Sequence, residues 1–248
     1  MAVPQSRRVP FSTCDNIFLQ LARTNDQYCG AFELAYKSYC RAGLDKPNEF
    51  GMRVTPYQLL DTSQVFVATY HDEVICTLTL VRDGALGLPM ESVYPEEIAS
   101  RRDRGIRLAE VTCLADRRLS PKRFFGLFCE LSRLMAQFAE RNRVDEIWIA
   151  CHPNHAPLYE RRLAFERRGG LSDYPAVLGN PAIPLCVDLR ELEASHPRVW
   201  RQFFAERIAE EVLSSSPLCP KLTAFYSTIA RSCSHMRENT ECELALIA

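Results

Sequence analysis

Several things are scarce in this sequence, and each absence narrows what it can do. No run of residues approaches the roughly 20 consecutive apolar positions that a membrane-spanning helix needs. The first residues carry Arg7 and Arg8 but no apolar stretch after them, so no secretory signal is expected. There is no excess charge of either sign: 30 basic residues face 31 acidic ones, for a net charge of −1. That balance argues against a nucleic-acid partner, which a basic face would serve. No Cys-x-x-Cys pair occurs among the 11 cysteines, and an odd, scattered set does not describe a disulfide framework. The reading is a reducing compartment, the cytoplasm, with cysteines acting as small buried hydrophobes. Internal repeats and low-complexity tracts are absent too.

What is present is an ordinary globular composition, 47% hydrophobic and 25% charged over 248 residues, enough to bury a sizeable core. Residues 1–27 read as an irregular lead-in. A helical stripe follows over Tyr28–Tyr39. Val65–Tyr70 and Val74–Val81 are β-rich and flank the polar turn His71–Asp72–Glu73, which predicts a hairpin. Pro95–Arg104 reads as a short helix. Arg107–Leu114 alternates as a strand, with Leu108, Glu110, Thr112 and Leu114 expected on one face. Ser120 and Pro121 suit the cap and first position of a long helix, whose stripe runs from Phe124 to Phe138. A buried strand at Ile147–Cys151, a short helix at Ala156–Leu163 and a strand at Pro184–Leu189 complete the core. Residues 28–190 therefore form a mixed α+β domain with an α/β-type mixed sheet. Residues 191–248 read as a helical extension: one amphipathic run through Trp200, Phe203, Phe204, Ile208 and Val212, then a second piece at Lys221–Met236.

The order of strand, basic loop, helix and strand, followed by Asn154, Ala156 and Tyr159, resembles the GNAT acyltransferases. More closely, it is similar to the N-acyl amino acid synthases, relatives of the acyl-homoserine-lactone synthases. The stretches that carry the resemblance are Thr77–Leu80, Gly87–Met90, Arg107–Ala115, Asn154–Glu166 and Tyr174–Pro184. The resemblance implies a GNAT-like fold. It also implies transfer of a long-chain acyl group from the phosphopantetheine arm of acyl carrier protein to an amino acid's amine, with no permanently bound cofactor and no metal.

Two residues would carry the chemistry. An amine must be neutral to attack a thioester, so a carboxylate on the central strand, Glu110, can serve as its base. Burial should lift the pKa of Glu110 towards a useful range. Tyr159 stands where the family can place an acid for the leaving thiolate.

The resemblance assigns the donor to Val111, Thr112, Cys113 and Leu114 on the strand, to Arg118, Lys122, Arg123 and Gly126 at the helix entrance, and to Asn154. GNAT enzymes hold the coenzyme A pyrophosphate on backbone N–H groups at that entrance. Here the first glycine of that pattern, Gly126, is present, but Phe128 replaces the final small residue. A donor without the nucleotide, the carrier protein, fits that bulk better. Between Arg101 and Arg123, eight basic residues face three acidic ones, a surplus suited to an acidic carrier protein.

The first hairpin and its neighbours are expected to line the acyl pocket. Cys151, His152 and His155 lack tetrahedral zinc spacing. The alternatives are an acetyl-CoA N-acetyltransferase, a homoserine-lactone synthase and a catalytically silent module that binds a carrier protein or acyl ligand. The lactone synthases use paired aromatics including tryptophan, and Trp148 and Trp200 are the only tryptophans here.

Overall fold

A computed structural model describes residues 7–11, 16–117, 120–215 and 218–234. Its centre is one mixed sheet, running β1 (Val9–Pro10), β2 (Ile17–Leu21), β3 (Ser63–Tyr70), β4 (Glu73–Arg82), β5 (Leu108–Asp116), β6 (Glu146–Cys151), β9 (Asn180–Asp188) and β7 (Glu166–Arg167) in spatial order. A further short strand, β8 (Ser172–Tyr174), pairs with β9. Neighbours are antiparallel except β5 and β6, which are parallel.

The predicted hairpin is β3–β4. Its two turn residues, His71 and Asp72, both have positive φ (47° and 64°), the backbone twist that a two-residue hairpin turn requires. The stretch expected to be irregular contains β2. Its Ile17, Leu19 and Leu21 are buried, and it hydrogen-bonds β3 along its whole length. Five residues of which four are apolar look like lead-in until a partner edge is known; β3 provides that edge.

Helices cover both faces. On one side lies α3 (Pro121–Arg141). Its Leu127, Leu131, Leu134 and Phe138 pack on Phe66, Leu78 and Leu80, with Phe66 and Phe138 edge-to-face at 5.4 Å. Against α3 pack α6 (Pro197–Phe204) and α7 (Glu210–Leu213), and α5 (Leu192–Ser195) packs on α6. The amphipathic run expected after 191 is thus three short helices, and Gln137 of α3 caps the break between α6 and α7 through Phe203 and Glu206 carbonyls and the Ile208 N–H.

On the opposite face lie α1 (Asn25–Arg41) and α8 (Pro220–Ser234), where Tyr226 meets Phe32 at 4.9 Å over Val65 and Val67. A Thr24–Gln27 capping box starts α1. The short helices α2 (Pro95–Arg102) and α4 (Ala156–Leu163) complete the set. Among the described residues, no helix is long and apolar enough to cross a membrane.

One strained position gives a test of the local backbone. Leu178 closes a tight turn at φ 58° with its side chain 45% exposed. Leu178→Gly should raise stability by up to about 1 kcal/mol in a thermal melt, because glycine adopts this conformation without the steric penalty of a Cβ. A drop would mean that the leucine side chain contributes packing.

Candidate active site

The site begins where the parallel pair ends. β5 and β6 pair only over Leu108–Glu110 and Glu146–Trp148. Beyond that point β5 stays with β4 as far as Asp116, and β6 stays with β9 as far as Cys151. The two halves of the sheet therefore part, and among the described residues the β5 edge from Val111 onward has no strand partner on the β6 side.

A bulge in β5 sharpens the separation. Thr79 pairs with Thr112 and Thr77 with Ala115, so one extra residue is accommodated between them. Cys113 takes φ 53° there, a conformation that costs a non-glycine residue about 1–3 kcal/mol. The end of α1 lies against it: Ser38 Oγ donates to the Asp116 carbonyl at 3.2 Å, and Tyr39 stands beside Cys113, both lining the same space. The bulge also corrects the expected alternation. Leu114 packs with the same cluster as Ala109 and Val111 rather than sharing Glu110's face.

A cavity of about 1080 Å³ opens from this gap. Glu110 lies at its apex, 2% exposed, opposite Trp148 in the last paired register. Its carboxylate accepts the Met90 N–H at 2.8 Å. Burial pushes the Glu110 pKa up to about 8; the Met90 bond opposes the shift and the Glu91 charge adds to it. Val111, Thr112, Cys113 and Leu114 all line the cavity, as does Tyr159. Tyr159 stands edge-on to Phe128 and Phe165 at 6.1 and 5.7 Å, and burial raises its hydroxyl well above the usual phenol range, so it carries its proton at neutral pH.

Other expected residues stand apart from the cavity. Asn154 is exposed, and its N–H donates to His152 Nδ1 at 3.2 Å. Arg123 is exposed on the first turn of α3, and Gly126 follows it; neither lines the cavity. Arg118 lies outside the described residues, and the side chain of Lys122 is not among those described. Four members of the basic stretch spend their charge on local carboxylates: Arg101 on Glu146, Arg102 on Asp83 and Glu91, Arg107 on Asp145, and Arg117 on Glu73. The sequence tally therefore overstates the positive surface. The Cys151 thiol is pushed up to about 12 by burial and so stays protonated.

The cavity wall itself differs from the expectation. No residue of the β3–β4 hairpin lines it, because both hairpin faces are covered, by α3 on one side and α1 on the other. The apolar end is built instead from α3 (Phe124, Phe128, Met135) and from Leu192, Val199, Phe203 and Phe204 of α5 and α6. Phe128 is buried, stacks on Phe124 at 5.8 Å, and faces inward. The opposite end is polar and holds Tyr39, Arg41, Arg53, Thr55, Tyr57 and Asn180. Neither tryptophan reaches the cavity: Trp148 is buried with its indole N–H on Glu146, and Trp200 packs on Phe204.

Sequence reasoning missed Tyr39, which looked like one more apolar helix position, and Arg53, which sits in a loop with no periodicity. Arg53's partners are Tyr39, Asp45 and Ala176, up to 123 residues away. No local signal could have joined them.

Known proteins share the overall fold that carries this site. A family model described as "N-acyl amino acid synthase FeeM" matches residues 30–188. The chain belongs to this family. It is an acyltransferase of GNAT-like fold. Among solved structures, FeeM, an N-acyl amino acid synthase from uncultured soil microbes, superposes with a TM-score of 0.64 at 24% identity, covering 74% of this chain and 96% of its own. The acyl-homoserine-lactone synthase LasI superposes at TM-score 0.57 and 13% identity, covering 78% and 96%. BjaI, a CoA-dependent acyl-homoserine lactone synthase solved with S-adenosylmethionine and isopentyl-CoA, gives 0.51 and 14%, covering 81% and 91%. These three show a shared fold. No curated protein sequence matches the chain. In this FeeM-family chain α5 to α8 lie beyond the matched segment, and α5 and α6 supply part of the cavity wall.

Proposed function

We propose that this FeeM-family protein transfers a long-chain acyl group from acyl carrier protein to the amine of an amino acid, in the cytoplasm. The observation that carries this reading is Glu110: a carboxylate buried at the apex of the cavity, with its pKa raised to about 8. That value suits a base that must take a proton from an ammonium or attacking amine near neutral pH.

The donor's pantetheine arm lies along the unpaired β5 edge, Val111 to Leu114, and offers its amides to groups that have no other strand. The amine nitrogen forms a bond to the thioester carbonyl carbon, and its surplus proton passes to Glu110. The tetrahedral intermediate collapses, the carbon–sulfur bond breaks, and the thiolate takes a proton from Tyr159. The products are an amide and a free thiol. Water then returns the proton to Tyr159 and removes that on Glu110.

A cavity of about 1080 Å³ with a phenylalanine-rich end is larger than an acetyl group needs and supports a long acyl chain. Gly126 bears on the donor. A Cβ built there meets only Phe11 Cζ at 3.8 Å, an ordinary contact, and the residue is inside α3 rather than in a loop. Gly126→Ala should therefore raise stability by about 0.5–1 kcal/mol through helix propensity. Turnover with a carrier-protein donor should be unchanged. Loss of activity would indicate that a pyrophosphate approaches this backbone and that coenzyme A is the donor.

The function itself is tested by expression in a bacterium followed by mass spectrometry of lipid extracts, with Glu110→Gln alongside. A new N-acyl amino acid that disappears in the variant supports the reading. Absence of any acylated amine, with acyl carrier protein and acyl-CoA both supplied to the purified protein, removes it.

A further inference from the structure

The polar end of the cavity holds a second buried charge, Arg53. It is 6% exposed, lies between α1 and the 3-10 turn at Pro56–Leu59, and lines the cavity. Three separate segments fix its guanidinium. The ring of Tyr39 lies beneath it at 4.3 Å, one terminal nitrogen pairs with Asp45, and the other donates to the Ala176 carbonyl at 3.0 Å. Its own N–H donates to the Phe32 carbonyl at 3.0 Å. A guanidinium carries five N–H groups. These bonds use two, and Nε has no acceptor. Burying a cation with donors unfilled costs stability. Arg41 lines the same end, exposed, bonded to Ser38 Oγ at 3.4 Å. Neither arginine has a role in the proton transfers described above.

Position gives the arrangement its meaning. Tyr39, on which Arg53 stacks, also stands beside Cys113, and all three line the cavity. The guanidinium is thus one side chain away from the strand edge assigned to the thioester. An α-amino acid carries its carboxylate one carbon from its amine. An acceptor with its amine at that edge therefore brings its carboxylate into the region of Arg53.

We infer that Arg53, assisted by Arg41 at the mouth, binds the acceptor's carboxylate and makes the site select α-amino acids over simple amines. The inference rests on the acyl-transfer reading and deepens it. Asp45 and the Tyr39 ring hold the guanidinium plane in place, which favours a planar, paired contact with a carboxylate.

The test uses the full chain with dodecanoyl acyl carrier protein and three matched acceptor pairs: leucine and 3-methylbutylamine, phenylalanine and 2-phenylethylamine, tyrosine and tyramine. The unaltered protein should prefer the amino acid of the best pair by about a hundredfold or more in kcat/KM, since a site built to bind a polar group rejects analogues that lack it. Arg53→Gln should collapse that preference, chiefly by raising KM for the amino acid, while transfer to the amine is retained. Equal use of acid and amine by the unaltered protein overturns the inference, as does a parallel loss of both in the variant. Should Arg53→Gln fail to fold, the acid-to-amine ratio of the unaltered protein decides alone. Should no acceptor be acylated, the acyl-transfer reading fails separately. The anchor is then judged by melting temperature: the amino acid should raise it and its matched amine should not, and an equal response to both overturns the anchor.

Discussion

Glu110→Gln should lower turnover by about a hundredfold or more while making the protein more stable at alkaline pH. The first effect follows from the loss of the base. Glutamine keeps the shape and can still accept the Met90 N–H, but it cannot take a proton. In the unaltered protein kcat/KM should rise with pH and level off near pH 8, where the buried carboxyl ionises; in the variant that limb should flatten.

The second effect is linkage. Glu110 has its folded pKa raised from 4.5 to about 8. Between those values the folded state keeps a proton that the unfolded state releases, so stability falls as pH rises from about 4.5 to 8. Its cost reaches a few kcal/mol above pH 8, on the order of the full shift. Glutamine has no such cost. Melting curves of the two proteins should coincide near pH 4 and separate above pH 6, with the variant higher. An unchanged turnover, or curves that stay parallel at every pH, would contradict the buried-base assignment.

Phe203→Ala is expected to have the next largest effect, on two readouts at once. Phe203 is 6% exposed, packs in the cluster under α3, and lines the apolar end of the cavity. Truncating a buried phenylalanine typically costs about 3–5 kcal/mol. The low end fits here, because the ring already borders open space. The same truncation lengthens the cavity, so products should shift to longer acyl chains, with about tenfold or more gained in relative kcat/KM for a chain two carbons longer. A stability loss with an unaltered chain-length distribution would place the acyl chain elsewhere. Long-chain product bound in the enlarged pocket should recover part of the lost melting temperature.

The elements that local pattern could reveal were those with a strong period or an unambiguous turn. α3 carries a stripe every three to four residues, β3 and β4 are dense in β-branched residues on either side of a polar turn, and α4 falls on its expected bounds, Ala156–Leu163. β2 was hidden because a five-residue apolar strand is recognisable only by its partner. The short helices α5 to α7 were hidden because their stripe continues across two breaks, and the second, between α6 and α7, is capped by Gln137 from another element.

Glu110 illustrates the division best. Its residue type, its place on an alternating strand and the resemblance around it were legible in the sequence, and so was the direction of its pKa shift. Its position at the apex of a parted sheet was not. That depends on β5 and β6 ceasing to pair at Trp148, a matter of register between strands separated by a helix. The bulged end of β5 is met in turn by Ser38 and Tyr39 of a helix some 75 residues earlier.

The sequence by itself thus determined the fold class, the acyltransferase lineage and the leading catalytic candidate, because these rest on residue type and short-range order. Only the tertiary structure decided where the cavity runs, that α5 and α6 close its apolar end, and that Arg53 meets Tyr39, Asp45 and Ala176 beside it. Those are contacts between distant segments, and no local periodicity encodes which distant surfaces will meet.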